Sequence, residues 1–181
     1  MLIAKEKRKS NIAEYILYMR QIEDLLRALD LNMKKIKVHL VDRFDQPAEM
    51  KKEISDWYEN LALMIEKERI RESGQLQIIT NTINQLNEFH CQLMKSMKDP
   101  AYNQIYLDTI PVIVDFRNKS SNKEQNDITV CIDALYGVMM LRLQKKEVTK
   151  VTGEAAAQIS KLLAHLSLRF KEFEAGDLLF D

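Results

Sequence analysis

The sequence predicts an all-α protein: a single-domain bundle of six or seven helices with a central apolar helix near 127–147. Three observations carry that reading. Four Gly and three Pro in 181 residues are too few for the tight turns of a hairpin-rich fold. Apolar residues recur at steps of three and four along most of the chain, which is the stripe of an amphipathic helix. The β-branched run Val112-Ile113-Val114, which could be read as a strand, has no second strand to pair with. With 46% hydrophobic residues, a chain of this length can bury about 70% of its unfolded surface without a disulfide or metal. One domain spanning 1–181 is therefore expected.

The elements follow in order. Ser10 is a plausible N-cap for a first helix whose stripe is Ile12, Tyr15, Ile16, Met19, Ile22, Leu26 and Leu29, ending near Asp30. The basic run Lys5, Lys7, Arg8 and Lys9 before it reads as a solvated first turn or arm. Asn32 caps a shorter second helix through Met33, Ile36, Leu40 and Phe44, closed by Asp45-Gln46-Pro47. Pro47 suits the first position of a third helix, where its missing N–H is not needed. That helix carries Met50, Ile54, Trp57, Leu61, Met64 and Glu68 and runs to the break at Ser73-Gly74.

A fourth helix begins at Gln75 and aligns Leu76, Ile79, Ile83, Leu86, His90, Leu93 and Met97. Asp99-Pro100 ends it and caps the fifth, in which Pro111 must kink or restart the helix. Residues 118–126 form a polar loop. The sixth helix, Asp127 to Glu147, is apolar nearly all round from 128 to 143 except at Thr129, Asp133, Gly137 and Arg142, and such a helix belongs at the centre of a fold. Thr152 or Gly153 begins the last helix, with Ile159, Leu162, Leu163, Leu166, Phe170 and Phe173 on one face before Gly176 and the tail Leu178-Leu179-Phe180. No internal repeat at a fixed period appears, which argues against a solenoid.

Charge gives no lead. The 27 basic and 27 acidic residues cancel, and no long segment departs from neutrality by more than three charges, so the broad basic field of a nucleic-acid or anionic-membrane binder is absent. Cys91 and Cys131 are far apart with no CxxC spacing and read as buried thiols of a reducing compartment. No window reaches the 18 or so apolar residues of a membrane span, and the charges at the start follow the apolar residues, the reverse of a secretory signal. The expected location is the cytoplasm.

The stretches Asn-Ile-Ala-Glu-Tyr-Ile-Leu-Tyr-Met-Arg-Gln-Ile-Glu-Asp-Leu-Leu-Arg-Ala (11–28) and Ala-Leu-Tyr-Gly-Val-Met-Met-Leu-Arg-Leu-Gln-Lys-Lys-Glu (134–147) resemble a bacterial family of about this length labelled a domain of unknown function. The resemblance covers most of the chain. It implies a cytosolic, all-helical bacterial protein and assigns no activity.

Chemistry is sparse. The residues three positions before His39, His90 and His165 are Ile36, Asn87 and Leu162, so the Glu-x-x-His pattern of di-iron bundles is missing. No metal or cofactor is expected. There is no Gly-x-Ser-x-Gly elbow and no Gly-rich phosphate loop, and thiols among apolar neighbours are unreactive. The sequence favours binding over catalysis.

Asp133, Tyr136, Gly137 and Arg142 on the sixth helix are the candidate ligand-binding residues. A buried charge needs a partner, and a mid-helix Gly costs about 1 kcal/mol against Ala unless something approaches closely there. Asp133 and Arg142 point to opposite sides of their helix and cannot pair. They line a polar pocket, or they form separate ion pairs, Arg142 reaching a carboxylate such as Glu23 or Asp24 while another helix crosses at Gly137. The aromatics Tyr15, Tyr18, Trp57 and Tyr58 beside the stripes suit an interface. The tail after Gly176 would fray unless docked on its own core or on a neighbouring subunit.

The expected function is a non-catalytic protein–protein interaction module, with a homodimer and an unknown protein partner as the expected assemblies. The alternative is a small-molecule-binding protein or enzyme with a pocket beside the sixth helix. Nucleic-acid binding through the basic N-terminus is a weaker third.

Overall fold

The computed structural model describes residues 2–180. Among them the chain forms eight α-helices: α1 (Leu2–Ser10), α2 (Ile12–Ala28), α3 (Met33–His39), α4 (Ala48–Lys67), α5 (Gln77–Ser96), α6 (Pro100–Lys119), α7 (Asp127–Leu143) and α8 (Lys150–Ala175). One turn of 3₁₀ helix, Val41–Arg43, joins α3 to α4. The all-α expectation holds, with eight helices instead of six or seven. The additional one is α1, whose basic run read as a solvated first turn or arm.

The caps explain the boundaries. Asn11, not Ser10, starts α2: its backbone is extended and its side chain accepts from the Glu14 N–H, while Ser10 closes α1. Asn32, Asp99 and Asn126 cap α3, α6 and α7, each accepting from backbone N–H groups of the first turn. The last helix starts earlier than Thr152, because Thr149 caps it and accepts from the Thr152 N–H at 3.2 Å. Pro111 neither stops nor restarts α6, which runs unbroken to Lys119.

The apolar stripes converge on one continuous core running from Ala4 to Leu178. Within it α7 packs against α2, α5, α6 and α8, the central position its all-round apolar surface requires. Ile128, Cys131 and Ile132 are fully buried on α7, as are Ile16 and Leu26 on α2 and Leu162 and Leu166 on α8. Several polar groups inside the bundle find partners: the buried His90 Nδ1 lies 2.6 Å from the Tyr102 hydroxyl, and the half-buried Asp99 meets His165 at 2.8 Å and Arg169 at 3.1 Å. The tail folds back on its own chain, with Leu178 buried and the Phe180 ring 5.6 Å from Phe89 and 5.5 Å from Phe173.

Candidate functional site

Two regions deserve comparison: a polar cleft where α2 meets α7, and an apolar groove beside α1.

The polar cleft grows from three consecutive turns of α2. Arg20, Glu23 and Arg27 lie at spacings of three and four and so share a face of the helix, with Asp24 beside them. Opposite stand Asp133 and Tyr136 of α7 and the 70–76 segment that links α4 to α5. Arg20 Nη1 donates to Asp133 at 2.6 Å, and its guanidinium carbon lies 4.3 Å from the centre of the Tyr136 ring, a cation–π contact. With its amide oxygen turned to Arg20, Gln75 accepts from Nε at 2.6 Å and Nη2 at 3.1 Å. Gln125 donates to the other oxygen of Asp133 at 3.0 Å. The Tyr136 hydroxyl donates to Asp24, and burial together with that carboxylate raises its pKa, so it stays protonated.

Arg27 fixes the far wall. It donates to the Ile70 carbonyl at 3.1 Å, the Gly74 carbonyl at 2.6 Å and Asp24 at 2.9 Å. Glu23 closes the floor with its side chain 1% exposed, accepting from the Leu76 N–H at 3.3 Å with Arg27 at 3.6 Å. Burial pushes its carboxyl up to about 7, against the opposing pull of the Leu76 N–H and Arg27. The remaining space is about 250 Å³, lined by Arg20, Glu23, Asp24, Arg27, Gln75 and Tyr136 among others.

Of the four candidate residues, Asp133 and Tyr136 belong to this network and the other two stand apart. Gly137 is exposed, and a Cβ placed on it would meet nothing within 4 Å, so no helix crosses there. Arg142 is exposed near the end of α7. The carboxylates expected to receive it, Glu23 and Asp24, are held by Arg27. Cys91 is likewise exposed and not a core filler, whereas Cys131 is buried and its thiol is pushed up to about 12 by that burial. Among the described residues no group of three or more His, Cys, Asp and Glu could hold a metal ion. Among the described residues no helix is long and apolar enough to cross a membrane.

The second region is a groove of about 440 Å³ between α1, α2, α4 and the start of α5. Its floor is Ala4, Met19 and Leu61, all buried, and its walls are the half-buried Tyr15, Trp57 and Met64. Trp57 packs edge-on against the buried Tyr58, ring centres 5.0 Å apart, which holds the indole in place. One rim is basic, formed by Lys5, Arg8 and Lys9 of α1; the other carries Asn60 and Ile78. Arg8 is anchored by a two-pronged pair with Glu174 at 2.8 and 2.7 Å, which straps α1 to α8. The aromatics Tyr15 and Trp57 were legible as interface candidates. The groove itself was not, because it exists only once α1 folds as a helix and packs on α2.

A family model described as Domain of unknown function (DUF4924) matches residues 1–177. No curated protein and no solved structure matches the chain.

Proposed function

The chain belongs to the DUF4924 family of domains of unknown function, as the resemblance of residues 11–28 and 134–147 implied, and because membership names no activity we propose from the geometry that it is a non-catalytic interaction module working through the groove beside α1. One observation carries this: a preformed, apolar-floored concavity walled by Tyr15, Trp57 and Met64, with a polar rim. Interfaces concentrate aromatic and Met side chains in such centres and keep charge at the edge. A cytoplasmic setting belongs to the same proposal and is supported by the free thiols at Cys91 and Cys131.

The test is capture with a control on the groove. Ile78 lines the groove and is 48% exposed, so Ile78→Glu puts a charge in it without opening the core. Wild-type bait should retain a partner at near-stoichiometric yield from its native cytosol, and the variant, equally stable, should lose it. Equal retention by both would end the reading.

A second reading is favoured by the cleft beside Tyr136, whose 250 Å³ falls just short of the usual range for small-molecule sites, about 300–1,000 Å³. Its arginines and carboxylates already satisfy one another, which leaves a ligand few free groups to meet. Native mass spectrometry of gently purified protein checks it: a bound metabolite lost in Tyr136→Phe supports the cleft. Nucleic-acid binding has less support, since Lys7 and Arg8 are held by Glu14 and Glu174.

A further inference from the structure

We propose that the occupant of the groove is an acidic amphipathic helix of a protein partner, seated with its apolar face on Trp57, Leu61 and Met64 and its acidic flank along Lys5 and Lys9. The inference rests on the interaction reading above and adds the chemistry of the partner.

Charge complementarity carries it. Four cations of α1 lie between positions 5 and 9, and two are neutralised within the molecule: Lys7 by Glu14 at 3.0 Å and Arg8 by Glu174 at 2.7 Å. Lys5 and Lys9 are exposed and make no ion pair among the described residues, yet both line the groove. They are four residues apart and therefore stand on one side of α1, about 6 Å apart along its axis. Acidic residues at the same spacing on a second helix match that step. The opposite rim, Asn60 and Ile78, carries no charge, so the cationic edge is one-sided and sets which flank of the incoming helix must be acidic.

The shape selects a helix over other anionic partners. A groove with an apolar floor receives the i, i+3, i+4 and i+7 anchors of an amphipathic helix, and the volume suits a few such side chains. A second copy of this face would set Lys5 and Lys9 against their own like. An anionic membrane favours a convex or flat basic face, whereas here the apolar residues are recessed behind the lysines.

Trp57 is the one tryptophan of the chain and lies in the groove, so its emission reports occupancy. The probes are two Trp-free synthetic helices of roughly 18 residues, long enough for five turns, with the same leucine stripe flanked by Glu in one and by Lys in the other. The acidic peptide should blue-shift Trp57 saturably and bind more weakly as salt is added. The basic peptide should not bind. Lys5→Glu with Lys9→Glu, its fold checked by circular dichroism, should bind the acidic peptide about tenfold more weakly and gain affinity for the basic one.

Equal binding of both peptides, or an unchanged affinity in the double variant, overturns the acidic-helix assignment. So does a blue shift with palmitate and not with the acidic peptide, which assigns the groove to lipid, and so does one that follows protein concentration alone, which assigns it to a second copy. If Ile78→Glu loses its captured partner while neither peptide binds, the helix fails and the interaction reading stands. If Ile78→Glu keeps the partner, the interaction reading is what fails.

Discussion

Glu23 shows how one residue can carry a pH dependence. Its carboxyl is buried and raised from 4.5 to about 7, chiefly by that burial. An acid with a raised pKa in the folded state keeps its proton at pH values where the unfolded chain has lost it. The folded state is therefore favoured below about 4.5, and stability falls as pH rises from there to about 7. The loss across that window approaches ~3 kcal/mol. Urea midpoints between pH 4.5 and 8 should show this slope in the wild type, while Glu23→Gln, uncharged throughout, should lack it. His90 is shifted the other way by its own burial, but equally in both proteins, so the comparison isolates Glu23. Parallel slopes would mean that the carboxylate keeps its hydration. From sequence, Asp133 was recognisable as a charge in need of a partner. That the partner is Arg20, 113 positions away, was not, since every arginine of an amphipathic helix is an equal candidate until the helices pack.

At the scale of the element, helix starts were more legible than helix ends. Asn32, Asp99 and Asn126 are polar side chains placed just before apolar stripes, and they cap as their type and position require. The ends departed from expectation because three helices stop at ordinary residues. Arg69, Met97 and Lys145 take the left-handed conformation, with φ of 58°, 55° and 56°, where sequence reasoning looks for Gly or Asn. Thus α4 closes at Lys67, before the Ser73-Gly74 break, and α7 at Leu143. Gly137 is the converse, a helix interior position where Gly is not needed. Its exposed face and open surroundings mean that Gly137→Ala should stabilise by about 0.5–1 kcal/mol, raising the thermal midpoint by about 1–4 °C. A lowered midpoint in calorimetry would show that something does approach there.

For the molecule as a whole, the termini decide the outline. Arg8 on α1 pairs with Glu174 near the end of α8, and Phe180 stacks on Phe89 and Phe173. Both ends of the described chain are thus tied to the same side of the core. This docking gives the ordered tail a role within its own chain, and we carry the homodimer only as a proposal. Leu178→Ala with Phe180→Ala should cost about 2–4 kcal/mol in urea denaturation and leave the light-scattering mass unchanged. A fall in mass at full stability would instead assign the tail to a contact between subunits.

The sequence by itself determined the helical class, the stripes, the caps at Asn32 and Asp99 and the central place of the apolar helix near 127–147, because each depends on residues within a turn or two of one another. Two such helical stretches carried the resemblance to a family labelled a domain of unknown function, and the family model over residues 1–177 shows which one. Only the tertiary structure decided that α1 is a helix, that Arg27 and not Arg142 holds Glu23 and Asp24, and that Tyr15, Met19, Trp57 and Met64 wall one groove under a basic edge. Those outcomes depend on which faces meet. The periodicity of a helix states that a face is apolar, while its partner is chosen by the packing of the whole chain.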